Sequence, residues 1–549
     1  MPTIGINISD LNRLLDENYS LNDLRKSFRS LGIEVEGETE EGDIKLEVLH
    51  NRPDLLSVEG IARVLKGHFG MEKGTPDYEL KEPKINCKVD PSLEGSRPVI
   101  VMGQIENADY DDVSLEVLMN LQEKLHDTLG RDREKISIGA YDLADVEPPI
   151  RYTTILPEDE GFTPLEFNER MTPQEILEKH PKGQKYAHLI ESCDRYPLLE
   201  DSEGKVLSMP PIINSESTRL TQSASNIGVD VTGTNRKVAE RALEIIMASA
   251  AERGFDVRQV KIEGLNSDFL TPRFKDSEWS FDIDDANNKL GISVEANDAC
   301  RIMEEMRYDV VKQKEDKIKV RAPFYRFDLL HEVDLFEDLA VGYGYDSLEP
   351  ELPSIEITGR PHEVEEISNI ARSALEGLGF MEAMPYVLTS PERNFELMNI
   401  DECEAVGIEN PVSKEYSILR TWLMPGLMKV LRENKLHELP QKVFEVGDVV
   451  KLNDEVETGA ENIKRASAVA VGEDFNYTYI RAVLESLMRE LDMDWEIETF
   501  EHPSFLEGRT AKVMIDGERR GFLGEVHPEV ITNFELEHPV VAFEFSLVE

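Results

Sequence analysis

The chain lacks the features that mark membrane and secreted proteins. Its 549 residues contain only four cysteines, about a hundred residues apart, which excludes local CxxC chemistry and indicates a reducing compartment. No apolar run approaches the ~20 residues that span a bilayer. The N-terminus has no basic segment followed by an apolar block, as a signal peptide would have. We therefore expect a soluble, cytoplasmic protein.

Familiar nucleotide and metal motifs are also missing. The chain has neither a P-loop nor a GxGxxG, which argues against a Walker-type or Rossmann nucleotide site. The eleven histidines are scattered, without HExxH or any pair at metal-ligand spacing. Any chemistry of this chain therefore depends on other residue types.

Basic residues are scarce. Lys and Arg number 60 against 110 Asp and Glu, which gives a formal net charge of −50. Each contact with a nucleic-acid phosphate needs a Lys or Arg, so this balance taken alone argues against a nucleic-acid binder. The acidic residues are dispersed, however, and such a surface also suits a salt-rich cytosol, where screening shortens the reach of self-repulsion. Net charge therefore leaves the choice of partner open.

One module is present twice in the chain. Residues 52–56 read RPDLL and residues 326–330 read RFDLL, and in each copy an aromatic residue and a glycine begin fifteen residues after the aspartate. Upstream, residues 6–12 (INISDLN) match residues 281–287 (FDIDDAN) after a shift of one residue. Within this frame the second copy has three acidic residues that the first copy replaces: Asp334 for Gly60, Glu337 for Arg63 and Asp338 for Val64.

The length predicts three or four domains, and the fold class is α+β and multidomain. We expect two small helical modules, a larger α/β domain between them, and a C-terminal antiparallel sheet with flanking helices. In chain order these domains cover residues 1–75, 92–265, 270–348 and 362–549. The proline-containing stretches at 76–91 and 350–361 are interpreted as linkers.

Several local signals define individual elements. Ser57 is expected to cap a helix, and residues 172–175 (TPQE) form a capping box with proline at the first helical position. Ser114 is expected to start a helix that Gly130 terminates. Residues 516–517 (DG) predict a hairpin turn.

A cluster of carboxylates forms the first candidate site. Asp334, Glu337 and Asp338 share one face of a predicted helix, and Asp328 precedes them closely enough to fold back. Carboxylates at one point repel unless a cation neutralises them, and all-oxygen ligation suits Mg²⁺. In a chain this acidic, such a match also arises by chance roughly once. Spacing therefore leaves open both a metal site and a solvated helix face, and Asp54 in the first copy suggests that Asp328 shares a structural role with it.

Two further segments could carry a site. Residues 208–216 (SMPPIINSE) and 230–234 (DVTGT) are dense in small polar side chains, which can line a pocket that reads hydroxyl groups, although turn chemistry explains the same composition. Residues 419–427 (LRTWLMPGL) and 443–447 (VFEVG) predict strand, helix and strand. Arg420 could grip a phosphate there, although a lone arginine is more often a salt-bridge residue.

Taken together, these segments resemble the beta subunit of phenylalanyl-tRNA synthetase in its shorter archaeal and eukaryotic form. The motifs that carry the resemblance occur in order along nearly the whole chain. They are residues 51–55 (NRPDL), 137–143 (SIGAYDL), 209–215 (MPPIINS), 326–329 (RFDL), 419–421 (LRT) and 524–529 (GEVHPE).

The resemblance implies a heterotetramer of two alpha and two beta subunits, which attaches phenylalanine to tRNA(Phe) using ATP and Mg²⁺. The aminoacylation site would lie on the alpha subunit, and residues 362–549 would be a class II synthetase-like core that has lost catalysis. The small modules would be winged-helix-like. A magnesium ion shared with the alpha subunit would be held at the positions Asp328, Asp334, Glu337 and Asp338.

The middle domain resembles the editing domain of that family, which hydrolyses tyrosine wrongly attached to tRNA(Phe). A hydrophobic phenylalanine site excludes an added hydroxyl only weakly, so a second site that hydrogen-bonds the hydroxyl supplies the missing discrimination. The resemblance makes four residues candidates for this pocket: Ser208, Asp230 and Thr232, with Leu198 as an apolar wall.

Two other functions stay open from the sequence. A free-standing aminoacyl-tRNA deacylase would use the middle domain alone. A non-enzymatic nucleic-acid-binding or assembly module would use the paired small modules, but it needs a basic face that the sequence does not obviously supply.

Overall fold

The structure is a computed structural model that describes residues 2–38, 43–264, 267–314, 316–355 and 357–548. The chain divides into two compact units, Met1–Glu351 and Leu352–Glu549. The boundary falls within the stretch 350–361, for which the sequence predicts a linker. In the described part of the chain, no helix combines the length and the apolar character needed to cross a bilayer.

The first repeat copy is a three-stranded antiparallel sheet with three helices. Ser57 caps its last helix by accepting a hydrogen bond from the Gly60 amide, as the sequence predicts. The sheet has the order β1–β3–β2. Its elements are β1 (Thr3–Ile6), α1 (Ile8–Leu15), α2 (Leu21–Ser30), β2 (Glu34–Glu38), β3 (Ile44–Glu47) and α3 (Val58–His68).

The middle of the chain builds one eleven-stranded sheet. Its elements are β4 (Leu80–Lys81), β5 (Asn86–Val89), β6 (Val99–Glu106), α4 (Asp112–Asp127), β7 (Ile136–Asp142), β8 (Ile150–Ile155), α5 (Pro173–Lys179), α6 (Pro181–Tyr186), β9 (Tyr196–Glu200), β10 (Val206–Met209), β11 (Ile213–Asn214), β12 (Asn226–Gly233), α7 (Arg236–Glu252), β13 (Asp256–Glu263) and β14 (Asp268–Thr271). The main path runs β11–β10–β9–β8–β5–β13–β6–β12–β7, and β4 and β14 also pair with β13.

Three expectations for this region are wrong. The stretch 76–91 is not a linker, because β4 and β5 both pair in parallel with β13. Ser114 does not cap α4; the Asp111 carboxylate does, and Ser114 completes the capping box three residues later. The helix also ends at Asp127, before Gly130. The capping box at residues 172–175 is confirmed.

The second repeat copy repeats the order of elements of the first. It consists of β15 (Ser277–Asp282), α8 (Ile283–Leu290), α9 (Ala296–Glu305), β16 (Asp309–Lys314), β17 (Lys317–Ala322) and α10 (Glu332–Tyr343). Its sheet order, β15–β17–β16, corresponds to β1–β3–β2. Asn7 and Asp282 each cap the first helix of their copy, so the repeat inferred from the sequence is also a repeat of local hydrogen bonding.

One apolar core joins both copies to the large sheet. It includes side chains from the first copy, the sheet and the second copy, such as Leu11, Leu243 and Leu335. At the end of α7, the buried Arg253 pairs with Asp10 at 2.8 Å and with Glu59 at 2.5 Å. The first copy is therefore fixed to α7 by ion pairs as well as by apolar packing.

The second unit is a seven-stranded sheet with helices on both faces. Its order is β18–β21–β22–β26–β25–β24–β23, antiparallel except for β18 beside β21, and β19 and β20 form a separate pair. The hairpin turn at residues 516–517 is confirmed, with positive φ at both residues. The elements are α11 (Glu363–Gly377), β18 (Met381–Glu382), β19 (Leu388–Thr389), α12 (Pro391–Asn394), β20 (Ile418–Leu419), α13 (Met424–Glu433), β21 (Gln441–Leu452), β22 (Ala460–Val471), α14 (Tyr477–Glu490), β23 (Trp495–Thr499), β24 (Phe505–Ile515), β25 (Glu518–Val526), α15 (Pro528–Asn533) and β26 (Val540–Ser546).

Candidate functional sites

A cavity of about 450 Å³ lies beside strands β7, β10 and β12 of the large sheet. Ser208 and Asp230, two of the four residues predicted for the pocket, line it. Strands β7 and β12 are paired with Gly139 opposite Asp230. A side chain at Gly139 would overlap the Asp230 carboxylate, so glycine at this position provides the space that the carboxylate occupies.

Asp230 belongs to a buried network of hydroxyl groups. The Tyr141 hydroxyl donates to the Asp230 carboxylate and also lies 2.8 Å from the Ser208 Oγ. Burial raises the pKa of Asp230 to about 7, although the hydrogen bond from Tyr141 opposes the rise. Burial and the nearby Asp230 raise the pKa of Tyr141 well above its ordinary value, so its hydroxyl stays protonated. The cavity wall can therefore donate to or accept from a polar group of a ligand.

The other two predicted pocket residues lie outside the lining. Thr232 is fully buried and its Oγ1 lies 2.9 Å from the Oγ of Ser137, which does line the cavity. Leu198 packs in a separate apolar cluster with Ile176 and Tyr196. The structure thus brings Ser208 and Asp230 together and places Thr232 one side chain away.

Tyr141 is the residue of this network that sequence reasoning missed. A signal was available, because Ser137, Gly139 and Tyr141 alternate along β7 and so share one face. Only the pairing of β7 with β12 shows that this face meets Asp230. Strand pairing cannot be read from a local pattern.

Three basic residues are among those that line the cavity. Lys182 and Arg219 line it with side chains that are about half exposed. Arg133 is buried and donates to the carbonyl groups of Pro211 and Ile212, which fixes that part of the wall. The lining also holds Glu123, Glu166 and Asp230, so its basic and acidic residues are equal in number.

The four predicted metal positions lie together at a second, small cavity of about 40 Å³ between the repeat copies. Arg326 lies among them and neutralises two: it forms a bidentate pair with Asp328 and donates to Asp338 at 2.7 Å. Burial raises the pKa of Asp328, but Arg326 outweighs it, and the net shift is downward. The Tyr308 hydroxyl also donates to Asp338.

The remaining two carboxylates are less compensated. Asp334 accepts hydrogen bonds from the amides of Leu330 and His331 through one oxygen, Oδ2. Burial, Asp338 and Asp334 raise the pKa of Glu337. Over the residues that the structure describes, no three carboxylate, histidine or cysteine side chains are placed to hold a metal ion by themselves. A cation here would need further ligands from water or from a partner chain.

The first copy explains part of the cluster. Arg52 pairs with Asp54 in the same bidentate way as Arg326 pairs with Asp328. The shared aspartate is therefore a partner for the arginine two residues before it in both copies. This structural role accounts for Asp328 but leaves Asp334 and Glu337, which have no acidic counterpart in the first copy, unexplained.

Comparison with known proteins first gives the class. Residues 279–345 match the model of the tRNA synthetase B5 domain, so the chain is of the aminoacyl-tRNA synthetase class. Residues 1–70 match the Phe-tRNA synthetase beta subunit B1 domain, and residues 348–547 match the phenylalanyl-tRNA synthetase beta chain CLM domain.

Relatives give the family. The phenylalanine–tRNA ligase beta subunit of Methanocaldococcus jannaschii is 40% identical over 551 residues, with both chains covered in full. That of Pyrococcus abyssi is 38% identical and covers all of this chain and 99% of its own. A crystal structure of an N-terminal fragment of the Pyrococcus horikoshii beta subunit matches with a TM-score of 0.60 and 36% identity, over 62% of this chain and 99% of the fragment. The chain belongs to the phenylalanyl-tRNA synthetase beta chain family, which confirms the resemblance seen in its sequence.

Proposed function

We propose that this chain works as the beta subunit of a heterotetramer with two alpha subunits, which attaches phenylalanine to tRNA(Phe) using ATP and Mg²⁺. Aminoacylation takes place on the alpha subunit. The proposal rests on sequence similarity to archaeal beta subunits over the full length of the chain. The four cysteines are free, which supports a location in the reducing cytoplasm.

The middle domain edits tyrosine that has been wrongly attached to tRNA(Phe). The observation that supports this role is the cavity beside Asp230, whose protonatable carboxyl group and neighbouring hydroxyls can hydrogen-bond the tyrosine hydroxyl. Phenylalanine has no hydroxyl to bond with these groups, and this difference between the two amino acids is what a polar pocket discriminates. Lys182 and Arg219, the two half-exposed cations of the lining, suit the phosphates of the tRNA end.

Replacing Asp230 tests this editing role. In the complex with the alpha subunit, Asp230→Ala is expected to raise the steady-state level of Tyr-tRNA(Phe) at least tenfold, because one charge-assisted or strong hydrogen bond to the substrate is lost. Charging with phenylalanine should stay unchanged. Aminoacylation assays with each amino acid measure both quantities.

The matched control is Asp145→Ala, which removes an exposed carboxylate of the same unit. It should leave both activities unchanged. Equal loss of phenylalanine charging and of editing in Asp230→Ala would indicate misfolding, whereas an unchanged level of Tyr-tRNA(Phe) with normal phenylalanine charging would count against the role of the cavity.

The acidic cluster is the proposed magnesium site shared with the alpha subunit. The donor set fits, because the free oxygen of Asp334 and the carboxylate of Glu337 are hard oxygen ligands in a field of like charge. Magnesium commonly uses one or two carboxylates and completes its shell with water. Asp328 and Asp338 contribute negative charge while Arg326 holds them in place. A bound ion would stabilise this edge of the subunit electrostatically.

The double variant Asp334→Asn and Glu337→Gln tests the magnesium site. Both changes keep the side-chain shape, and asparagine still accepts the amide hydrogen bonds of the cap. We expect the magnesium concentration for half-maximal assembly with the alpha subunit to rise several-fold, as measured by native mass spectrometry across a magnesium titration. Glu332→Gln, at a half-buried carboxylate of the same helix that does not line the cavity, is the control. An unchanged magnesium requirement would show that the cluster is an ordinary solvated helix face and not a magnesium site.

A further inference from the structure

Tyr141 is a fully buried residue in the wall of the cavity beside Asp230. Its ring packs in an apolar cluster with Tyr152 and Leu199, which fixes the position of the hydroxyl oxygen. That hydroxyl has two hydrogen-bond partners, Asp230 and Ser208, and both line the cavity. Any effect of Tyr141 on a ligand in the cavity therefore passes through these two residues.

Strand pairing brings the Tyr141 hydroxyl to Asp230 across a glycine. In the register of β7 and β12, Asp230 lies opposite Gly139 and Tyr141 lies opposite Gly228. Tyr141 and Asp230 are thus diagonal neighbours on one face of the sheet, a separation that an aromatic side chain can bridge. A Cβ atom at Gly139 would overlap both the Tyr141 hydroxyl and the Asp230 carboxylate. The contact therefore follows from the strand register and from the glycine.

The Tyr141 hydroxyl has one proton for two neighbours. Burial and the nearby Asp230 raise the pKa of Tyr141 well above its ordinary value, so the proton stays on the hydroxyl. An ionised carboxylate can only accept, so this proton points to the Asp230 Oδ1. The Ser208 hydroxyl, whose Oγ lies 2.8 Å from the Tyr141 oxygen, is then the donor in the second hydrogen bond. Donation runs from Ser208 through Tyr141 to Asp230.

This chain of hydrogen bonds decides which atom of Asp230 is left for a ligand. Tyr141 occupies the Oδ1 atom, whereas Oδ2 has no hydrogen-bond partner in the described part of the chain and is not sealed off from the cavity. A tyrosine hydroxyl can donate to this oxygen, and a hydrogen bond to a carboxylate is stronger than one between neutral groups. Phenylalanine has no such donor.

Tyr141 also affects the charge of Asp230. Within the part of the chain that the structure describes, it is the one side chain that donates to this carboxylate. Burial favours the neutral acid by raising the pKa of Asp230, and the Tyr141 hydrogen bond opposes that rise. Without the Tyr141 hydroxyl, the carboxyl group would take up a proton more readily and would turn more freely about its terminal bond.

We propose that Tyr141 is the positioning residue for tyrosine discrimination: its hydroxyl, backed by Ser208, holds Asp230 so that the free carboxylate oxygen accepts the hydroxyl proton of the mischarged tyrosine. Because Tyr141 is fully buried, it acts through Asp230 and not by contact with the substrate. The proposal rests on the editing role proposed above and adds the residue on which the selectivity of Asp230 depends.

Deacylation of Tyr-tRNA(Phe) and of Phe-tRNA(Phe) by the complex with the alpha subunit tests the proposal. The ratio of the two kcat/KM values measures discrimination. Tyr141→Phe removes one oxygen and keeps the ring in its apolar cluster. We expect kcat/KM for Tyr-tRNA(Phe) to fall roughly tenfold and that for Phe-tRNA(Phe) to stay within about twofold, because only tyrosine uses the oriented oxygen. A merely structural role would lower both values alike.

A double-mutant cycle with Asp230→Ala shows whether Tyr141 acts through Asp230. In the Asp230→Ala background, adding Tyr141→Phe should lower kcat/KM for Tyr-tRNA(Phe) no further, since the group that Tyr141 positions is already gone. A second loss of roughly tenfold in that background would overturn the proposal, because Tyr141 would then act independently of Asp230.

Tyr196→Phe is the matched control. It removes the hydroxyl of another buried tyrosine of the same sheet, one that donates to Gln174 at 3.0 Å and does not line the cavity. It should keep the wild-type ratio. The thermal unfolding midpoint shows whether each variant folds. If Tyr141→Phe does not fold, Ser208→Ala replaces it: loss of the donor behind Tyr141 should lower the ratio several-fold, and an unchanged ratio would overturn the proposal.

The outcomes separate this proposal from the editing role. If Asp230→Ala lowers the ratio but a folded Tyr141→Phe keeps the wild-type ratio, the editing role stands and the role of Tyr141 is wrong. If the wild-type complex hydrolyses Tyr-tRNA(Phe) no faster than Phe-tRNA(Phe), the editing role fails and the role of Tyr141 fails with it.

Discussion

At the scale of single residues, burial decides the charge of several carboxyl groups. Asp230 in the first unit and Glu445 in the second both have a pKa of about 7, and in each case loss of water contact is the main cause. Arg420 opposes the rise at Glu445, as Tyr141 does at Asp230. The pKa of each group therefore lies near neutral pH, well above the ordinary value of about 4 for a free carboxyl group.

The raised pKa of Asp230 predicts a pH-dependent stability. Between about pH 4 and pH 7 the folded chain holds a proton on Asp230 that the unfolded chain has released, so the free energy of unfolding falls as pH rises through this window. Asp230→Asn has no such proton. From pH 5 to pH 8 the wild-type chain should therefore lose about 2–3 kcal/mol more than the variant in urea unfolding.

Asp145→Asn should keep the wild-type pH dependence, because that side chain is exposed. If Asp230→Asn and the wild type lost stability in parallel between these pH values, the carboxyl group at position 230 would be ionised already at pH 5 and the burial argument would be wrong.

At the scale of elements, the two repeat copies differ in the first turn of their last helix, α3 in the first copy and α10 in the second. In α3, Gly60 lies against the backbone of Asp54, and any side chain there would overlap the Asp54 carbonyl oxygen. At the same position of α10, Asp334 turns back to accept the amides of Leu330 and His331. The acidic residue of the second copy therefore needs a differently placed loop and could not be moved into the first copy unchanged.

Gly60→Ala tests this close approach. The added methyl group meets backbone, which cannot rotate away, so the variant should lose about 1–3 kcal/mol of unfolding free energy in urea unfolding. Gly377→Ala, in a helix with no neighbouring atom near the added carbon, should be neutral or slightly stabilising. Equal stability of the two variants would contradict the contact between α3 and the turn before it.

At the scale of the whole molecule, the net charge affects the stability of the folded chain. The net charge of −50 is spread over a chain in which most surface ion pairs are exposed and individually weak. Self-repulsion of this size disfavours the compact state, and the screening length falls from about 10 Å at 0.1 M salt to about 3 Å at 1 M.

Raising KCl from 0.1 to 1 M should therefore raise the thermal unfolding midpoint by several degrees, because the repulsion that salt screens exceeds the attraction in the exposed pairs. Differential scanning fluorimetry measures the shift, with glucose at equal osmolality as the control. A midpoint that stayed level or fell with KCl would show that the acidic surface does not limit stability.

The sequence by itself determined the repeat, the caps at Ser57 and residues 172–175, the hairpin at residues 516–517, and the family, because each of these is written in neighbouring residues or in ordered motifs. Only the tertiary structure decided that residues 76–91 supply strands, since β4 and β5 are short and are recognisable as strands only through their pairing with β13. It alone joined Tyr141 to Asp230, left Leu198 in another cluster, and placed Arg326 between Asp328 and Asp338. Burial and partnership between distant residues set these charges and contacts, and no local pattern encodes which distant residues will meet.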